Sequence, residues 1–385
     1  MNNLGIFFHQ QYRIMKSLLY KFIYDTDFYK IKYNSKLNNF FESNQKYTLV
    51  VCHNGGGGTV SYMKNKYAGK EHVLFLRDTV VADKDYLYSL ENSDTKEIVY
   101  FKPKKIGFIR NNISNVHVIA VESYMSLQFI LNWFISLNVP VIYDIHDYHC
   151  IWYETHFIHD GKYLTRADLE KSVLKYAGTK ITFQQWHKIW SDFLPHVQSI
   201  NAFSESSKNI FAEFYPEFAN KIKVTPHSLD YIKCGTIEKI PSKFCIGIFG
   251  LIYEADKGCN VVKDFLNYSK NKDYQIFING DINNSCKVFA DNIHYMGRYN
   301  VNKLDKIIEE QGISTVLFPS ICPETFSYTV SELIHVGVPI ACFNLGAQAE
   351  KVSSYKFGEI ISSDNNESIF NSLYNAYLKG QNNAE

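Results

Sequence analysis

The chain has 385 residues, of which 46% are hydrophobic, and its formal net charge is +1. This length exceeds that of one ordinary core and is enough for two domains, and the hydrophobic content is that of a soluble globular protein. Because the net charge is close to zero, the chain lacks the strong field that attracts nucleic acid, and no nucleic-acid partner is expected.

The eight cysteines are scattered along the chain without a C-x-x-C pair, and most lie in apolar, strand-like runs. This usage predicts reduced core residues of a cytosolic protein. No signal peptide is evident, and the most apolar long run, residues 116–139, is interrupted by Glu122, Gln128 and Asn132. A membrane-spanning helix is therefore not expected, and a cytoplasmic location is.

Residues 1–46 precede the first clear strand, and their pattern predicts an N-terminal helical extension. Apolar and aromatic side chains recur at near-helical spacing between positions 5 and 28, with basic residues among them. One interpretation is an amphipathic helix resting on an anionic membrane surface. The other is a helix packed on the protein or on a partner subunit. The second is favoured, because the basic residues do not form a clean stripe.

The first strand, residues 47–52, leads directly into a glycine run at 55–58 and then a helical stretch. A strand, a glycine loop and a helix in this order open a nucleotide-type βα unit, although a flexible turn has the same composition. Further strands are predicted at 72–76, 97–101, 116–121 and 139–144. Their alternation with helical stretches predicts a parallel sheet with ligands bound at the carboxyl ends of its strands.

The strand at 139–144 ends in the run DIHDYH, which puts His146 between Asp144 and Asp147. Three interpretations remain open. Histidine and aspartate are metal ligands, but no further cluster completes a coordination shell. The histidine could be purely structural, or it could face a ligand at the carboxyl end of the sheet.

The second half of the chain repeats the βα pattern after a linker at 234–243. Strands are predicted at 245–250, 274–280, 294–299, 313–320 and 338–343. The loop after the first of these carries Lys257 and Gly258. A lysine ammonium beside a helix start is a suitable counter-charge for a diphosphate, whereas most lysines are solvated surface residues.

Residues 318–338 read as a strand end, a loop held extended by Pro319 and Pro323, and a helix that starts near Ser327. Glu324 stands in the loop and Glu332 in the helix, at most about 12 Å apart at 1.5 Å per helical residue. Carboxylates accept paired hydrogen bonds from vicinal hydroxyls, and a helix N-terminus suits phosphate. The alternative is a loop and a helix with two solvated glutamates.

The run PETFSYTVSE resembles the E-x7-E signature of retaining GT-B glycosyltransferases of family four, and residues 318–352 are similar to the branch that assembles bacterial O-antigen, capsule and rhamnan. The resemblance covers most of residues 47–360. It implies an α/β fold of two Rossmann-like domains that face each other across a cleft. The acceptor domain would span 47–235, the nucleotide-sugar donor domain 243–364, and residues 365–385 would form a helix returning toward the N-terminal domain.

The resemblance also implies roles for particular residues. Glu324 would hold the hydroxyls of the donor sugar and Glu332 the ribose, while His146 would contact the sugar and Asp147 would orient the imidazole or act on the acceptor hydroxyl. The remaining donor-binding residues would be Gly57, Gly58, Thr59, Gly250, Lys257, Gly258, Gly297, Arg298, Tyr299, Thr325, Phe326 and Ser327.

Two positions depart from the family pattern. Val60 stands where the family has a glutamate, and Leu251 stands where it commonly has an arginine that contacts phosphate. Arg298 is predicted to substitute for that arginine from the next loop.

The expected function is transfer of a hexosyl or deoxyhexosyl unit from a nucleotide sugar to a glycan or lipid-linked glycan of the bacterial surface, with retention at the anomeric carbon. No metal or other cofactor is expected, and peripheral contact with the inner face of the membrane through residues 1–46 is one interpretation. A GT-B-like epimerase or phosphorylase, and a non-catalytic glycan- or nucleotide-binding scaffold protein, are the alternatives.

Overall fold

The computed structural model describes residues 40–41, 44–53, 58–82, 85–121, 127–159, 162–176 and 179–382. The predicted N-terminal helical extension, residues 1–46, lies almost entirely outside the described residues. Gly57 also lies outside them. The chain divides into two compact units. The first consists of Met1–Tyr153, Ser172–Asn201 and Asn220–Lys223, and the second of Glu154–Lys171, Ala202–Ala219 and Val224–Glu385.

The regular elements alternate between strands and helices along most of the chain. The strands are β1 Tyr47–Val51, β2 Val73–Ala82, β3 Asp85–Asn92, β4 Ile98–Phe101, β5 Ile113–Val118, β6 Val141–Asp144, β7 Ile158–His159, β8 Lys162–Tyr163, β9 Val173–Tyr176, β10 Thr179–Thr182, β11 Ser199–Ala202, β12 Ile222–Val224, β13 Cys245–Phe249, β14 Gln275–Asn279, β15 Ile293–Gly297, β16 Thr315–Phe318, β17 Ile340–Phe343 and β18 Gly358–Ile361. The α-helices are α1 Gly58–Tyr67, α2 Leu127–Leu137, α3 Arg166–Leu169, α4 Phe183–Phe193, α5 Glu205–Phe214, α6 Cys259–Ser269, α7 Leu304–Glu310, α8 Tyr328–Val336, α9 Gly346–Ser354 and α10 Asn366–Asn382.

The first unit is built on an eight-stranded sheet with the order β12-β11-β6-β5-β1-β2-β3-β4. The strands from β11 to β2 pair in parallel, as predicted for a βα series. Strands β2, β3 and β4 pair antiparallel, so the prediction of a uniformly parallel sheet is wrong at this edge. Two antiparallel strands need only a short connection, and β2 and β3 are consecutive strands in the chain, whereas the sequence interpretation included no antiparallel pair here.

The second unit is built on six parallel strands in the order β15-β14-β13-β16-β17-β18. Strands β13 and β16 are buried along their whole length and apolar except for Thr315, which is the pattern of central parallel strands covered on both faces. The strand order reverses between β13 and β16. In doubly wound sheets the crevice outside such a reversal is where ligands bind. The segments that enter this crevice are residues 250–258 and 319–327.

Two glycines let backbone segments approach each other closely at this crevice. A Cβ on Gly258, which has φ +79°, would lie 2.0 Å from the carbonyl oxygen of Pro319. A Cβ on Gly346, with φ +57°, would lie 2.5 Å from the backbone nitrogen of Glu324. Only glycine tolerates both the left-handed backbone and this lack of space. The loops after β13, β16 and β17 are therefore in direct backbone contact.

Helix α10 packs against β16, β17, β18 and α6 within the second unit. The predicted return of this helix toward the N-terminal domain, and the predicted domain boundaries, stay predictions. Among the helices in the described part of the chain, none combines the length and the apolar composition that crossing a bilayer requires.

A disulfide joins Cys259, the first residue of α6, to Cys286 in the segment after β14. The prediction that the cysteines are reduced is therefore wrong for this pair. The other six cysteines are free and buried, as the apolar runs around them indicate.

Replacing Cys286 by serine is expected to lower the free energy of unfolding by about 3.5 kcal/mol, because the disulfide closes a loop across a separation of 27 residues and restricts the unfolded chain. Urea unfolding followed by circular dichroism measures the change. The reduced wild-type protein is the matched control and should unfold at the same urea concentration as the variant. Equal stability of the oxidised wild type and the variant would contradict this account of the disulfide.

Candidate functional site

The loop that carries Glu324 is fixed on both sides by the start of α9. The buried side chain of Gln348 accepts a hydrogen bond from the backbone N–H of Glu324 (3.0 Å) and donates one to the carbonyl of Cys322 (2.6 Å). The carbonyl of Glu324 accepts from the backbone N–H of Ala347 at 2.8 Å. The backbone of Cys322 and Glu324 in the crevice is therefore held by three hydrogen bonds, two of which involve Glu324.

The side chains of Glu324 and Lys257 form an ion pair, with 2.8 Å between Oε1 and Nζ. The Glu324 side chain is 16% exposed and the Lys257 side chain 33%. Burial alone would raise the pKa of the Glu324 carboxyl, but the neighbouring ammonium holds it below its ordinary value. Burial alone would lower the pKa of Lys257, and the Glu324 carboxylate raises it instead. Both groups are therefore charged at neutral pH. The fold thus brings two predicted site residues, Lys257 and Glu324, into direct contact.

Glu332 lies in α8 and is only 9% exposed. Tyr231 donates its hydroxyl to Oε1 at 2.7 Å, and Tyr299 donates to Oε2 at 3.3 Å. Burial raises the pKa of the Glu332 carboxyl, and the two hydroxyls offset only part of this shift. Tyr299 is a predicted site residue, whereas Tyr231 was missed because it stands 101 positions away, next to the predicted linker.

The backbone between the two glutamates turns sharply at Ser327. This residue precedes α8 with φ +60° and ψ +84°, in the left-handed region, and it is buried. A residue with a Cβ pays about 1 kcal/mol or more in this conformation, and such strain concentrates at functional sites. The start of α8 is thus held in an unusual shape beside Glu324.

A second cluster, which the sequence did not predict, joins His156, Asp256 and Cys322. The His156 Nδ1 atom lies 2.8 Å from Asp256 Oδ2, and this pairing lowers the pKa of the Asp256 carboxyl against the effect of its burial. His156 comes from a stretch of the sequence to which no role was assigned, 100 positions before Asp256. Nothing in the local pattern could have linked the two.

The ligand atoms of this cluster lie within 4.8 Å of one another, so the group has the donor set of a metal site. Its surroundings disfavour one. Burial raises the pKa of the Cys322 thiol to about 12, so in the protein alone this group is a neutral thiol. The Lys257 ammonium lies 3.9 Å from the sulfur and repels a cation. The arrangement is better explained as a histidine–carboxylate pair beside a lysine.

In the first unit, the run after β6 is organised around Asp144, which is fully buried. Its carboxylate accepts hydrogen bonds from Tyr62 Oη (2.8 Å) and Asn201 Nδ2 (2.6 Å), and it pairs with His117 Nε2 (2.8 Å) and Lys66 Nζ (3.4 Å). Burial alone would raise the pKa of Asp144, but His117 and Lys66 hold it well below its ordinary value. The sequence identified Asp144 only as a flanking residue.

His146 lies beside this network. Its Nε2 atom is 4.0 Å from Asp144 Oδ2, and its ring packs on Tyr62 with 4.5 Å between ring centroids. The carboxylate of Asp147 accepts the backbone N–H of His149 at 3.0 Å, so the turn uses this side chain. The acidic group beside the imidazole is therefore Asp144.

The other predicted donor-binding residues are divided between the two units. Gly58 and Thr59 open α1 in the first unit. In the second unit, Gly250 follows β13, Gly258 precedes α6 and Gly297 ends β15, while Thr325 and Phe326 complete the loop before Ser327. Arg298 is 84% exposed and pairs with Asp281 at 2.5 Å. Its predicted replacement of the missing phosphate-binding arginine stays a prediction.

No protein-family model matches the chain, and no curated protein matches it in sequence. Solved structures do resemble it. HepE of Anabaena in complex with UDP-glucose is 11% identical over 88% of this chain and 94% of its own, with a TM-score of 0.53. Sucrose-phosphate synthase of Thermosynechococcus elongatus is 11% identical over 89% and 95%, with a TM-score of 0.54. The lipopolysaccharide outer core galactosyltransferase WaaB is 14% identical over 89% and 92%, also with a TM-score of 0.54.

At identities of 11–14%, the similarity to these solved structures establishes the fold alone. The chain has the GT-B fold, with two Rossmann-like domains, and this prediction is confirmed.

Proposed function

We propose that the protein is a glycosyltransferase that takes a hexosyl or deoxyhexosyl unit from a nucleotide sugar and transfers it with retention to a bacterial surface glycan. The observation that carries the proposal is the pair of largely buried carboxylates, Glu324 and Glu332, on either side of the start of α8. They lie where the strand order of a Rossmann-like sheet reverses. Structures with this fold include one with bound UDP-glucose and one described as a galactosyltransferase, which supports the same assignment.

Glu332 has the chemistry that a ribose requires. Each of its oxygens already accepts a tyrosine hydroxyl, so the carboxylate is oriented for O–H donors. A carboxylate has about four lone-pair positions, which leaves room for the two vicinal hydroxyls of a ribose beside or in place of Tyr231 and Tyr299. Glu324 offers the same chemistry to the hydroxyls of the transferred sugar.

Lys257 would stabilise the leaving group. Negative charge develops on the diphosphate as the glycosidic bond breaks, and a fixed ammonium in a site of low polarity stabilises such charge strongly. The ion pair with Glu324 fixes the position of this ammonium in the crevice, beside the carboxylate proposed to bind the sugar. No residue of the proposed site is assigned as a covalent nucleophile, and no metal or cofactor is invoked because Lys257 supplies the positive charge.

The finer assignments belong to the same proposal. His146 would contact the donor sugar from the first unit and Asp147 would serve the acceptor side. The acceptor would be a glycan or lipid-linked glycan at the inner face of the membrane, with peripheral contact through residues 1–46. Membership of family four and of its O-antigen and capsule branch rests on the run PETFSYTVSE and its continuation to residue 352.

The test is acceptor-dependent release of nucleoside diphosphate. The purified protein is incubated with UDP-, GDP-, ADP- and TDP-sugars, with and without a lipid-linked glycan acceptor, and the product is examined by NMR for its anomeric configuration. Release that requires the acceptor and gives a retained linkage supports the proposal. Conversion of the nucleotide sugar to its epimer without acceptor indicates an epimerase, formation of a sugar phosphate that requires added phosphate indicates a phosphorylase, and binding of nucleoside diphosphates without any turnover indicates a scaffold protein. Each of these three results would overturn it.

Replacing Glu332 by glutamine is expected to raise the Kd for UDP about 10- to 100-fold, since hydrogen bonds to a charged group contribute about 1.5–3 kcal/mol. Isothermal titration calorimetry measures the effect. Glu359→Gln is the matched control, because Glu359 pairs with Lys379 away from the crevice and should leave the Kd unchanged.

The same variant should change the pH dependence of binding. Burial raises the pKa of Glu332, so its carboxyl takes up a proton at a higher pH than an ordinary glutamate. A protonated carboxyl has lost acceptor capacity. The UDP affinity of the wild type should therefore fall as the pH drops through this pKa, and the affinity of Glu332→Gln should fall less. Parallel pH curves for the two proteins would contradict the role of Glu332.

A further inference from the structure

Four consecutive backbone carbonyls before α8, those of residues 324–327, are each held by a hydrogen bond from elsewhere in the second unit. The carbonyl of Glu324 accepts from the Ala347 N–H. The carbonyl of Thr325 accepts from the hydroxyls of Ser204 and Ser207, at 3.0 and 3.1 Å. The carbonyls of Phe326 and Ser327 accept from Lys351 Nζ, at 2.5 and 3.4 Å.

Holding a carbonyl also fixes the direction of the next N–H. In a planar trans peptide, the C=O bond and the N–H bond of the following residue point in opposite directions. The donors to the four carbonyls of the 324–327 segment therefore also fix the directions of the N–H groups of residues 325–328. These include the amides of Thr325, Phe326 and Ser327, three residues that the sequence analysis predicts to bind the donor.

Lys351 accounts for two of the four carbonyls and also binds the Ser331 hydroxyl at 2.5 Å. Its three ammonium protons match these three acceptors. Ser331 in turn donates its hydroxyl to the Ser327 carbonyl at 2.9 Å. The ammonium lies 3.4 Å from the centre of the Phe326 ring, which adds a cation–π contact. The side chain is thus bound to the backbone and side chains of the segment through all of its donors.

If the only role of Lys351 were to stabilise the fold, a charged side chain at this position would be unfavourable. Within the described part of the chain, no carboxylate lies within the 4.0 Å of an ion pair with Lys351, although the side chain is partly buried and an ammonium removed from water is ordinarily compensated by a carboxylate. Burial lowers the pKa of Lys351 to about 8, against the opposing influence of Glu324 and Glu350. An apolar side chain of similar length would fill the same space without this cost. The contacts therefore indicate that the ammonium holds the backbone of the loop before α8 in its conformation.

We propose that Lys351 is a positioning residue that presents the N–H groups before α8 to the diphosphate of the donor, together with the hydroxyls of Ser204 and Ser207. The inference rests on the proposed function, because it assumes that a diphosphate occupies this place. Lys351 itself does not contact the donor. Its effect on the diphosphate passes through the peptide groups of residues 326–328.

The experiment compares the binding of UDP and of uridine by the wild type and by Lys351→Met, using calorimetry. Methionine retains an apolar side chain and removes the ammonium. The Kd for UDP is expected to rise about 10-fold, because several amide–phosphate hydrogen bonds lose their alignment, while the Kd for uridine changes by less than about twofold. A merely structural role would alter the binding of both ligands in the same proportion, since both need the folded protein.

The control is Lys356→Met. Lys356 is exposed and lies 4.4 Å from the centre of the Phe357 ring, so it reproduces the charge and the aromatic contact without any contact to the loop. It should leave both Kd values unchanged. Lys351→Arg keeps the charge and the donors and should recover part of the UDP affinity. If Lys351→Met does not fold, Ser331→Ala removes one of the three acceptors and should weaken UDP binding about threefold with uridine unaffected.

The outcomes separate the two proposals. If the wild-type protein binds none of UDP, GDP, ADP and TDP, the proposed function fails. If the wild type binds UDP and Lys351→Met or Ser331→Ala binds it equally well, the function stands and the role of Lys351 is refuted. A proportional loss of UDP and uridine affinity also refutes that role.

Discussion

Replacing Glu324 by glutamine is expected to lower the rate of sugar transfer about 100-fold or more, because the carboxylate that we propose to orient the donor sugar is lost while the shape of the side chain is kept. The variant is also expected to lose about 1–2 kcal/mol of stability. Lys257 would then keep a largely buried ammonium without its partner, and the cost is moderated because a third of that side chain is exposed. Acceptor-dependent release of nucleoside diphosphate measures the first effect and thermal unfolding the second.

A double-mutant cycle with Lys257→Met separates the two consequences. Each single variant should unfold at a temperature several degrees below the wild type, and the double variant should recover part of the loss because neither charge is left alone. Transfer should stay lost in all three variants. If Glu324→Gln transfers sugar at the wild-type rate, the assigned site is wrong. Additive losses of stability would show instead that the ion pair contributes nothing.

Replacing Asp144 by asparagine is expected to destabilise the protein by about 3 kcal/mol, the order of magnitude for breaking a buried ion pair by removing one partner. The buried carboxylate is the common acceptor for the side chains of His117, Tyr62 and Asn201. An amide cannot accept from all of them and brings two donors of its own. Urea unfolding at neutral pH measures the difference.

The pH dependence of this difference has a definite sign. The pKa of Asp144 is lowered in the folded protein, so its contribution is fully present above the pKa of the unfolded chain, about 3.9, and is lost as the pH falls toward the folded value. The stability gap between the wild type and Asp144→Asn should be constant near neutral pH and should shrink below about pH 4. Asp192→Asn is the control, because Asp192 pairs with Lys188 at the surface and should cost less than about 1 kcal/mol. A gap that widens on acidification would refute the assignment.

The central strands and the turn into α8 were predictable because the signals for them are local. Strands β13 and β16 are short apolar runs, and Gly337 ends α8 with φ +92° directly before Val338 and Pro339. The residue types of the crevice were predictable for the same reason, since Glu324 and Glu332 stand eight positions apart in one segment. Local patterns therefore located both carboxylates.

The partners of those residues were not predictable from local patterns. Tyr231 lies 101 positions from Glu332, and His156 lies 100 positions from Asp256, so neither pairing leaves a trace in the spacing of the sequence. Lys351 is a different case. A single lysine in an amphipathic helix is normally solvated, and only the fold shows that its ammonium turns inward to the loop before α8. The sequence thus identified residues that could act in a site, but only the structure showed which residues they contact.

The backbone contacts at Gly258 and Gly346 have a consequence for finding relatives of this chain. A side chain at either position would collide with the segment at 319–324, so any substitution would force a different course of the main chain. At identities of 11–14% the overall likeness says little about which remote homologues keep the same pocket. The presence of both glycines at the matching places is a stricter criterion, because it tests for the available space itself.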